Sequence, residues 1–480
     1  MQSTSHRFPE NAHDALNNAT LQQALANVRV NFIDKRLQAI EALPEFEALR
    51  KAGKDLRDRV LADLDTHLLA FETKVKEQGG HVYWCADAEA ARQTVLKICQ
   101  EVGAKRVTKG KTMIGEEIGI NDFLEAHHIE PIETDLGEYI IQLRHETPSH
   151  IIAPAVHVTK AQVEETFRKA HRDLDPKRNL DEPASLLAEA REKLRQKFLS
   201  ADVGITGANF LVAETGSSVI VTNEGNGDLT QTLPRVHIAL ASIDKVVPTL
   251  DDLTVLLRLL ARSATGQEMS VYTTLSSGPR RVDDHDGPGA YHVVLLDNGR
   301  SKLLGTEKQD LLRCIRCGAC LNHCPIYHAV GGHAYGWVYG GPIGAALTPA
   351  LIGLEEAHHL PNASTLCGRC EEVCPMSIPI PNILRHWREE EVQRGLAPVA
   401  MRRGIGVWAF VARRPALYRL ATRIGARLLR KFAGGRGRLA HVPMGGVLTQ
   451  GWTDMRDLPA PAGRTFHALY RQHGGGSAGR

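Results

Sequence analysis

The sequence lacks any long apolar run, since no stretch of eighteen uncharged apolar residues occurs among its 480 residues. This argues against a transmembrane helix, and residues 1–13 lack the apolar core of a secretory signal. Neither sign of charge dominates, with 58 Lys and Arg against 55 Asp and Glu, so the composition does not favour a chain devoted to nucleic acid. With 43% hydrophobic and 24% charged residues, a mostly disordered chain is excluded. We expect a cytoplasmic globular protein of about three domains.

Nucleotide-binding fingerprints are also missing. No expected strand is followed by the G-x-G-x-x-G turn of a dinucleotide site, and we identify no flavin site. Gly110-Lys111-Thr112 matches the end of a phosphate-binding loop, but the Gly that this loop requires five positions earlier is Lys105. We therefore reject this stretch as a Walker motif and interpret Lys109 and Lys111 as solvated loop lysines, with carboxylate or phosphate binding as the alternative.

The pattern along the chain predicts four regions. Residues 1–74 have helical spacing. Residues 75–300 alternate strands with helices, which favours an α/β domain with a largely parallel sheet. Residues 301–390 are helical around a group of cysteines. Residues 391–480 form a basic C-terminal extension, and its Gly-rich end, residues 474–480, is expected to be disordered.

The expected elements of the α/β region are short. Strands are expected at 82–84, 106–108, 132–133, 210–213, 218–222, 236–241 and 291–297, and helices at 87–102, 116–126, 160–169 and 251–261. We interpret residues 173–191 as a surface excursion, because Pro176 and Pro183 interrupt them. Residues 331–353 are interpreted as a Gly-rich connector between two cysteine motifs.

Cysteine spacing carries the clearest chemical signal, because seven of the nine cysteines lie within residues 314–374. The first motif contains Cys314, Cys317, Cys320 and Cys324, and a proline follows. This is the C-x2-C-x2-C-x3-C-P pattern of two-cluster bacterial ferredoxins. A tight loop can wrap three thiolates around one face of an iron–sulfur cube, while the fourth cysteine leaves on the next helix toward a second cluster.

A second motif contains Cys367, Cys370 and Cys374, again followed by proline. By the same logic, cluster one is held by Cys314, Cys317, Cys320 and Cys374. Cluster two is held by Cys324, Cys367 and Cys370. A symmetric motif would place its eighth cysteine at position 364, where this chain has Ser364. Three outcomes stay open: a [4Fe–4S] cluster with a non-cysteine ligand, a cluster open to an outside ligand, or a three-iron cluster.

Two zinc sites are the competing interpretation of these cysteines. Zinc prefers closed tetrahedral sets such as paired CxxC motifs, and the triple C-x2-C-x2-C run does not have that form. Cys85 and Cys99 stand far upstream in the expected α/β domain, and we interpret both as buried small hydrophobic residues.

Several stretches resemble the lactate utilization protein B family, the iron–sulfur proteins of bacterial L-lactate oxidation. They are the two cysteine motifs, ETDLGEYIIQ from Glu133, PSHII from Pro148, ETGSS from Glu214, NEG from Asn223 and GGHAYGWVYGGPIG from Gly331. The resemblance covers about residues 30–440. It implies a lactate-utilization (LUD) α/β domain, an α-helical ferredoxin domain with two [4Fe–4S] clusters held by the seven cysteines, and a C-terminal extension.

The resemblance also implies a role, with two companion proteins of A and C type, in oxidising L-lactate to pyruvate. Iron–sulfur clusters move electrons singly and do not abstract hydride, so we expect this chain to relay electrons. The substrate chemistry would then lie in a partner or at a shared interface. One alternative is the iron–sulfur subunit of an oxidase for another 2-hydroxy acid, such as glycolate. A redox sensor that binds nucleic acid is the other, but no nucleic-acid-binding module is evident and we expect no such partner.

Catalytic residues remain unassigned by the sequence. Asp135, Glu138 and Glu214 could form a polar site in the α/β domain, or they could serve helix capping and turns. Proton transfer could involve a histidine, since imidazole titrates near neutral pH, whereas a structural role is the plainer interpretation. The candidate histidines are His145, His150, His157 and His237.

The C-terminal extension has no Asp or Glu from residue 395 to residue 453. One expected helix places Arg419, Arg423 and Arg427 beside an apolar stripe of Leu417, Leu420, Ile424 and Leu428. With Trp408 and Phe410 upstream, this segment could lie peripherally on an anionic membrane surface at the inner face, near a quinone pool. Docking to an acidic partner and packing on its own protein are the alternatives.

Overall fold

The computed structural model describes residues 3–439 and 457–473, which fall into two compact units, Met1–Arg394 and Gly395–Arg480. The first unit begins with five helices, and the bounds of these are α1 (Phe8–Leu16), α2 (Ala19–Val28), α3 (Lys35–Glu41), α4 (Phe46–Ala62) and α5 (Leu64–Glu77). A 3-10 turn precedes α1 and a π-helical turn joins α2 to α3. The N-terminal region is therefore helical, as the spacing predicts.

The α/β region follows, and its elements alternate along the chain. They are β1 (His81–Cys85), α6 (Ala88–Glu101), β2 (Arg106–Gly110), α7 (Met113–Ile118), α8 (Ile120–Ala126), β3 (Glu130–Glu133), α9 (Leu136–Leu143), α10 (Lys160–Ala170), α11 (Pro183–Leu199), β4 (Val203–Gly207), β5 (Phe210–Val212), β6 (Ser217–Thr222), α12 (Asn226–Thr232), β7 (Val236–Ser242), β8 (Val246–Val247), α13 (Leu250–Thr265), β9 (Tyr272–Ser276) and β10 (Ala290–Leu296). Helices cover the strands, so the central strands are apolar and buried along their whole length.

Six strands form a parallel sheet in the order β1-β10-β7-β4-β2-β3. Cys85 and Cys99 are buried in its core, in agreement with their interpretation as small hydrophobic residues. The sequence pattern did not predict a second sheet, of four strands in the order β8-β5-β6-β9. This sheet contains antiparallel pairs, and it places the β6 end beside the carboxyl ends of the parallel strands.

Two expectations for this region are wrong. The expected helix at 116–126 is broken at Gly119, whose φ of +63° is left-handed and ends α7 before α8 begins. Residues 173–191 are not a surface excursion throughout. Pro183 lies in the first turn of α11, where its missing N–H costs nothing. Leu186 and Ala190 of that helix are buried in a satellite core.

The cysteine region completes the first unit with short helices between loops. They are α14 (Ala319–Asn322), α15 (Pro325–Val330), α16 (Gly341–Ile352), α17 (Leu354–Ala357), α18 (Arg369–Glu372) and α19 (Ile380–Gln393). The expected Gly-rich connector is wrong in its second half, which is the buried helix α16. Gly344 is required there, because a Cβ atom would lie 1.9 Å from the carbonyl oxygen of Tyr339.

The N-terminal helix α4 packs against this region. Leu49, Gly53, Leu56 and Val60 form its buried face. A Cβ atom on Gly53 would lie 2.7 Å from Leu259 of α13 and 2.9 Å from Met376 of the second cysteine motif. The absence of a side chain at residue 53 therefore brings α4 close to both the α/β region and the cysteine region.

The second unit contains α20 (Val399–Ala412), α21 (Pro415–Phe432), β11 (Arg438–Leu439), β12 (Leu458–Pro459) and α22 (Phe466–His473). Helices α20 and α21 bury none of their residues. Among the described residues, no helix has the length and apolar character needed to cross a membrane. The tail at 474–480, expected to be disordered, lies outside the described residues.

Candidate metal centre and the adjoining pocket

Four of the predicted cysteine ligands line a single cavity, namely Cys314, Cys317, Cys320 and Cys374. Much of the remaining wall is apolar and includes Ile151 and Ile343. Burial, with smaller contributions from Cys374 and Cys314, raises the pKa of the Cys317 thiol to about 12. The four sulfur groups thus face a common space and repel one another when ionised.

The other three predicted ligands form a second set, Cys324, Cys367 and Cys370. Burial raises the pKa of the Cys370 thiol to about 12, with Cys324 and Cys367 adding to the shift, which puts these three groups close together. Cys367 is exposed, whereas the other two are buried. The two sets are near each other, because Cys370 also raises the pKa of Cys320, after larger effects from burial and from the other thiols of the first set.

The two cysteine loops have the same backbone form. Arg316 and Leu366 each precede a cysteine and have φ values of +59° and +54°, which side chains other than glycine rarely adopt. Gly318 and Gly368, with φ of +72° and +85°, are the N-cap residues of the short helices α14 and α18. The two motifs are therefore structural repeats as well as sequence repeats.

This repeat gives Ser364 a defined position. The backbone N–H of Arg316 donates to Sγ of Cys314 at 3.4 Å, and the N–H of Leu366 donates to Oγ of Ser364 at 3.1 Å. The serine hydroxyl thus occupies the place in the second loop that the Cys314 thiol occupies in the first.

Arginines from the N-terminal helices hold the cysteine loops by their backbone carbonyls. Arg36 donates to Val373 O at 2.9 Å, and Arg50 donates to Cys374 O at 2.8 Å. The fully buried Arg57 donates to Leu312 O at 2.8 Å and to Val246 O at 2.9 Å. None of these three arginines was identified from the sequence. The available signal was Arg57, a charged residue among the apolar residues of the buried face of α4.

This environment fits an iron–sulfur cluster better than zinc. Within the described residues, no three or more His, Cys, Asp or Glu side chains converge closely enough to hold one metal ion. The thiols instead surround a cavity, and soft thiolate donors are those that iron–sulfur clusters use. The buried guanidinium groups of Arg36 and Arg57 also lie where they offset the negative charge of such a ligand set.

A second cavity of about 140 Å³ adjoins the four-thiol cavity, and Ile151 and Arg316 line both. Its wall includes Lys111, Asp135 and Glu138. The Lys111 amine lies 3.0 Å from the Asp135 carboxylate. Asp135 also caps α9, accepting a hydrogen bond from the Gly137 N–H, so both interpretations of this residue hold.

The loop that separates the two cavities is fastened to the cysteine region. His150 is 2.9 Å from Asn322 Oδ1, and the hydroxyl of Tyr327 donates to Ser149 O at 2.7 Å. Burial lowers the pKa of His150 to about 4, so this imidazole is neutral near pH 7. His150 therefore positions the neighbouring residues Ile151 and Ile152 at the pocket.

The remaining weak candidates lie elsewhere. Glu214 accepts a hydrogen bond from the Leu250 N–H at a turn. His237 is buried in the sheet beside Thr206, and burial lowers its pKa to about 3. His157 bonds to Ser149 and Glu146, and His145 is exposed. Glu214 and the four candidate histidines, His150 among them, are therefore absent from the lining of the 140 Å³ cavity.

The interpretation of Lys109 as a solvated loop lysine is wrong. It lies on β2 and is buried, forming ion pairs with Glu116 and with Glu133, the latter at 2.7 Å. Burial lowers the pKa of Lys109, but the two carboxylates outweigh this effect and raise it. Lys111, two residues further along the chain, is the lysine that lines the pocket.

Comparison with known proteins gives the class. The LUD domain model matches residues 68–296, the 4Fe-4S dicluster domain model matches residues 310–378, and the model for the C-terminal region of lactate utilisation protein B matches residues 386–475. The chain is therefore an iron–sulfur protein with an α/β LUD domain.

Full-length relatives define the family. Lactate utilization protein B of Geobacillus sp. (strain WCH70) is 41% identical over 468 residues, which cover 97% of each chain. The protein of that name from Bacillus thuringiensis (strain Al Hakam) is 39% identical over 474 residues, covering 98% of each. The chain belongs to the lactate utilization protein B family. A crystal structure of a DUF162 family protein from Deinococcus radiodurans matches 49% of this chain and 98% of its own at 15% identity, with a TM-score of 0.26.

Proposed function

We propose that this chain is the iron–sulfur electron-transfer component of an assembly that oxidises L-lactate to pyruvate. The observation that carries the proposal is the presence of two neighbouring thiol sets in one domain of a lactate utilization protein B family member. When bound, iron–sulfur clusters supply one-electron transfer. Two such groups side by side suit a relay better than a sensor.

We propose that the seven cysteines hold two clusters, with the division between them that the motifs predict. Cys314, Cys317, Cys320 and Cys374 would hold one [4Fe–4S] cluster. Cys324, Cys367 and Cys370 would hold the second, with Ser364 at the position of the absent eighth thiol. The second cluster would then be the one that loses an iron and is found as a three-iron form.

The two thiol sets face different surroundings. Beside the 140 Å³ pocket, three thiols of the four-thiol set are buried and Cys314 is partly buried, whereas the other set includes the exposed Cys367. We infer that the buried set serves the substrate side and that the exposed set faces an electron acceptor. Two companion lactate-utilization proteins, of A and C type, would complete the assembly.

Cysteine variants test the relay. Anaerobically purified parent protein should hold about eight irons if both clusters are cubanes. Cys317→Ser should damage the first cluster and Cys370→Ser the second, and either change should stop L-lactate-dependent dye reduction by the reconstituted assembly. Cys99→Ala is the matched control, because Cys99 is a buried cysteine of the sheet core.

The outcomes separate the parts of the proposal. Lactate oxidation that survives both cysteine changes overturns the relay role. Dominant zinc in the purified protein overturns the iron–sulfur assignment. If the reconstituted assembly oxidises glycolate in preference to L-lactate, the substrate is a different 2-hydroxy acid and the electron-relay role still holds.

We also propose that the second unit places the chain peripherally on an anionic membrane surface, where a quinone-linked acceptor would be accessible. Helix α21 supports this, because Leu420, Ile424 and Leu428 are each about half exposed along one stripe. Arginines line the neighbouring stripe. A basic amphipathic helix of this kind binds an anionic interface through both stripes.

A further inference from the structure

The 140 Å³ cavity lies at a topologically special place. Lys111 follows β2, Asp135 follows β3 and Asn209 follows β4, so the cavity is outside the carboxyl ends of three parallel strands. Strands β2 and β4 are neighbours, but the chain continues from β2 to β3 on one side and from β4 to β7 on the other. Ligands of open α/β sheets bind at such a switch point.

Arg316 provides an unsatisfied donor at this cavity. Its Nη1 atom is buried and has no hydrogen-bond partner. The rest of the guanidinium lies over Tyr339, 4.9 Å from the ring centroid. A buried N–H group without an acceptor is costly, and a guanidinium is well suited to bind a carboxylate. The structure therefore presents a cationic donor that a bound anion would satisfy.

The wall of the cavity also carries groups that could act on a hydroxyl or oxo group. Glu138 is buried, and its carboxylate accepts a hydrogen bond from the Lys111 backbone N–H at 3.3 Å. Burial, and then Glu133 and Asp135, raise the pKa of Glu138 well above its usual range, which favours the protonated form that can donate a hydrogen bond. Thr222 adds a hydroxyl to the lining, and Ile152 and Leu260 add apolar surface.

The cavity is small. An apolar cavity of about 150 Å³ accommodates benzene, which has as many non-hydrogen atoms as lactate. A three-carbon carboxylate therefore matches this volume. The shared residues Ile151 and Arg316 also put any occupant directly beside the four-thiol set.

We propose that this cavity binds a small 2-hydroxy or 2-oxo carboxylate, with the carboxylate group on Arg316. This rests on the proposed function for the identity of the pair, L-lactate and pyruvate, but the site is assigned from the pocket itself. The substrate then lies on this chain, and not only in a companion protein. Arg316 acts as a binding residue, and the Lys111 amine, which lies 3.0 Å from the Asp135 carboxylate, is a second cationic donor in the lining.

Calorimetric titration of the anaerobic full-length holoprotein tests the site. L-lactate and pyruvate should bind, whereas acetate and inorganic phosphate should bind about tenfold more weakly, because they lack either the second polar group or the planar carboxylate. Arg316→Lys should weaken pyruvate binding about tenfold by removing the paired donors. Leu366→Met is the matched control at the equivalent position of the second loop and should bind as the parent does.

Because Arg316 lies between two cluster ligands, a remote variant is needed. Lys111→Met removes the other cation and should also weaken pyruvate binding, whereas Lys105→Met, at an exposed residue, should not. Iron content and visible spectra establish that each variant keeps its clusters. Parent affinity in both Arg316→Lys and Lys111→Met overturns the proposal, as does the absence of carboxylate binding by the parent. Equal affinity for phosphate and pyruvate overturns the ligand class.

One further variant separates this inference from the relay. Cys370→Ser should lose electron transfer and keep pyruvate binding, since Cys370 does not line the cavity. If Cys370→Ser loses pyruvate binding as well as electron transfer, the proposal of a carboxylate site independent of the second cluster is overturned. A parent protein that relays electrons and binds no carboxylate would overturn this inference alone.

Discussion

At the scale of single residues, Ser364 is the most informative position. Its hydroxyl accepts the Leu366 N–H as the Cys314 thiol accepts the Arg316 N–H. The loop is therefore already shaped for a ligand at residue 364, and a hydroxyl is a poorer donor to iron than a thiolate. The iron beside Ser364 should be the one most easily lost.

Replacing the hydroxyl tests this expectation. Ser364→Cys should slow the loss of iron in air and reduce the three-iron EPR signal, because a thiolate completes the second set. Ser364→Ala should lose iron at least as fast as the parent. Ser200→Cys, on an exposed residue, controls for an added thiol. If both Ser364 variants match the parent in spectra and oxygen sensitivity, the hydroxyl only closes the turn.

At the scale of elements, a buried ion pair ties the α/β domain to the cysteine region. Glu117 of α7 accepts hydrogen bonds from Arg300 at 2.6 and 2.9 Å and from the Tyr339 hydroxyl at 2.7 Å. Both charged side chains are fully buried. Burial raises the pKa of Glu117, but Arg300 outweighs it and the pKa is lowered below 4.5. This pair therefore stabilises the fold only while Glu117 is ionised.

Glu117→Gln should lower the free energy of unfolding by about 3–5 kcal/mol at pH 7, since it leaves the buried guanidinium of Arg300 with Asp244, 3.2 Å away, as its remaining carboxylate partner. The stabilisation is present above the unfolded pKa of 4.5 and is lost as pH falls through the lower folded pKa. Urea unfolding of the anaerobic holoprotein at pH 7 and at pH 4 should show the difference from the parent shrink on acidification. The control is Glu101→Gln, because Glu101 forms an exposed ion pair with Lys97. This change should alter the free energy of unfolding by less than about 0.5 kcal/mol. A Glu117→Gln protein as stable as the parent would contradict the stabilising role of the Glu117–Arg300 pair.

Local motifs are what the sequence predicts well. The positions of the seven cysteines follow from spacing, because each loop is closed by a few consecutive residues, and the parallel sheet follows from alternating buried strands. The pocket and the arginine supports could not be predicted in this way. Arg57 contacts Val246 and Leu312, which are 189 and 255 residues away, and Lys109 is buried only because Glu116 and Glu133 compensate its charge.

At the scale of the whole molecule, charge is divided unevenly along the chain. Residues 395–480 contain 15 Arg and Lys against two Asp and no Glu. Because the whole chain carries +3, residues 1–394 are net negative. The small net charge of the whole chain is therefore the sum of a net negative first unit and a strongly basic second unit. In the second unit, α21 leaves its apolar stripe exposed. This division favours an anionic surface as the partner of the second unit.

Vesicle binding tests that assignment. The full-length holoprotein should sediment with vesicles of phosphatidylglycerol but not with those of phosphatidylcholine, and added salt should weaken the binding through screening. Each arginine near an anionic surface contributes about 1 kcal/mol, so replacing Arg419, Arg423 and Arg427 together by Gln should reduce partitioning on the order of a hundredfold.

The matched control replaces Arg172, Arg191 and Arg195, which are exposed on the first unit, and makes the same change in net charge. Equal loss in both triple variants would mean that net charge alone drives binding. Binding by the parent to neither vesicle type would exclude the membrane surface and leave an acidic protein as the partner of α21.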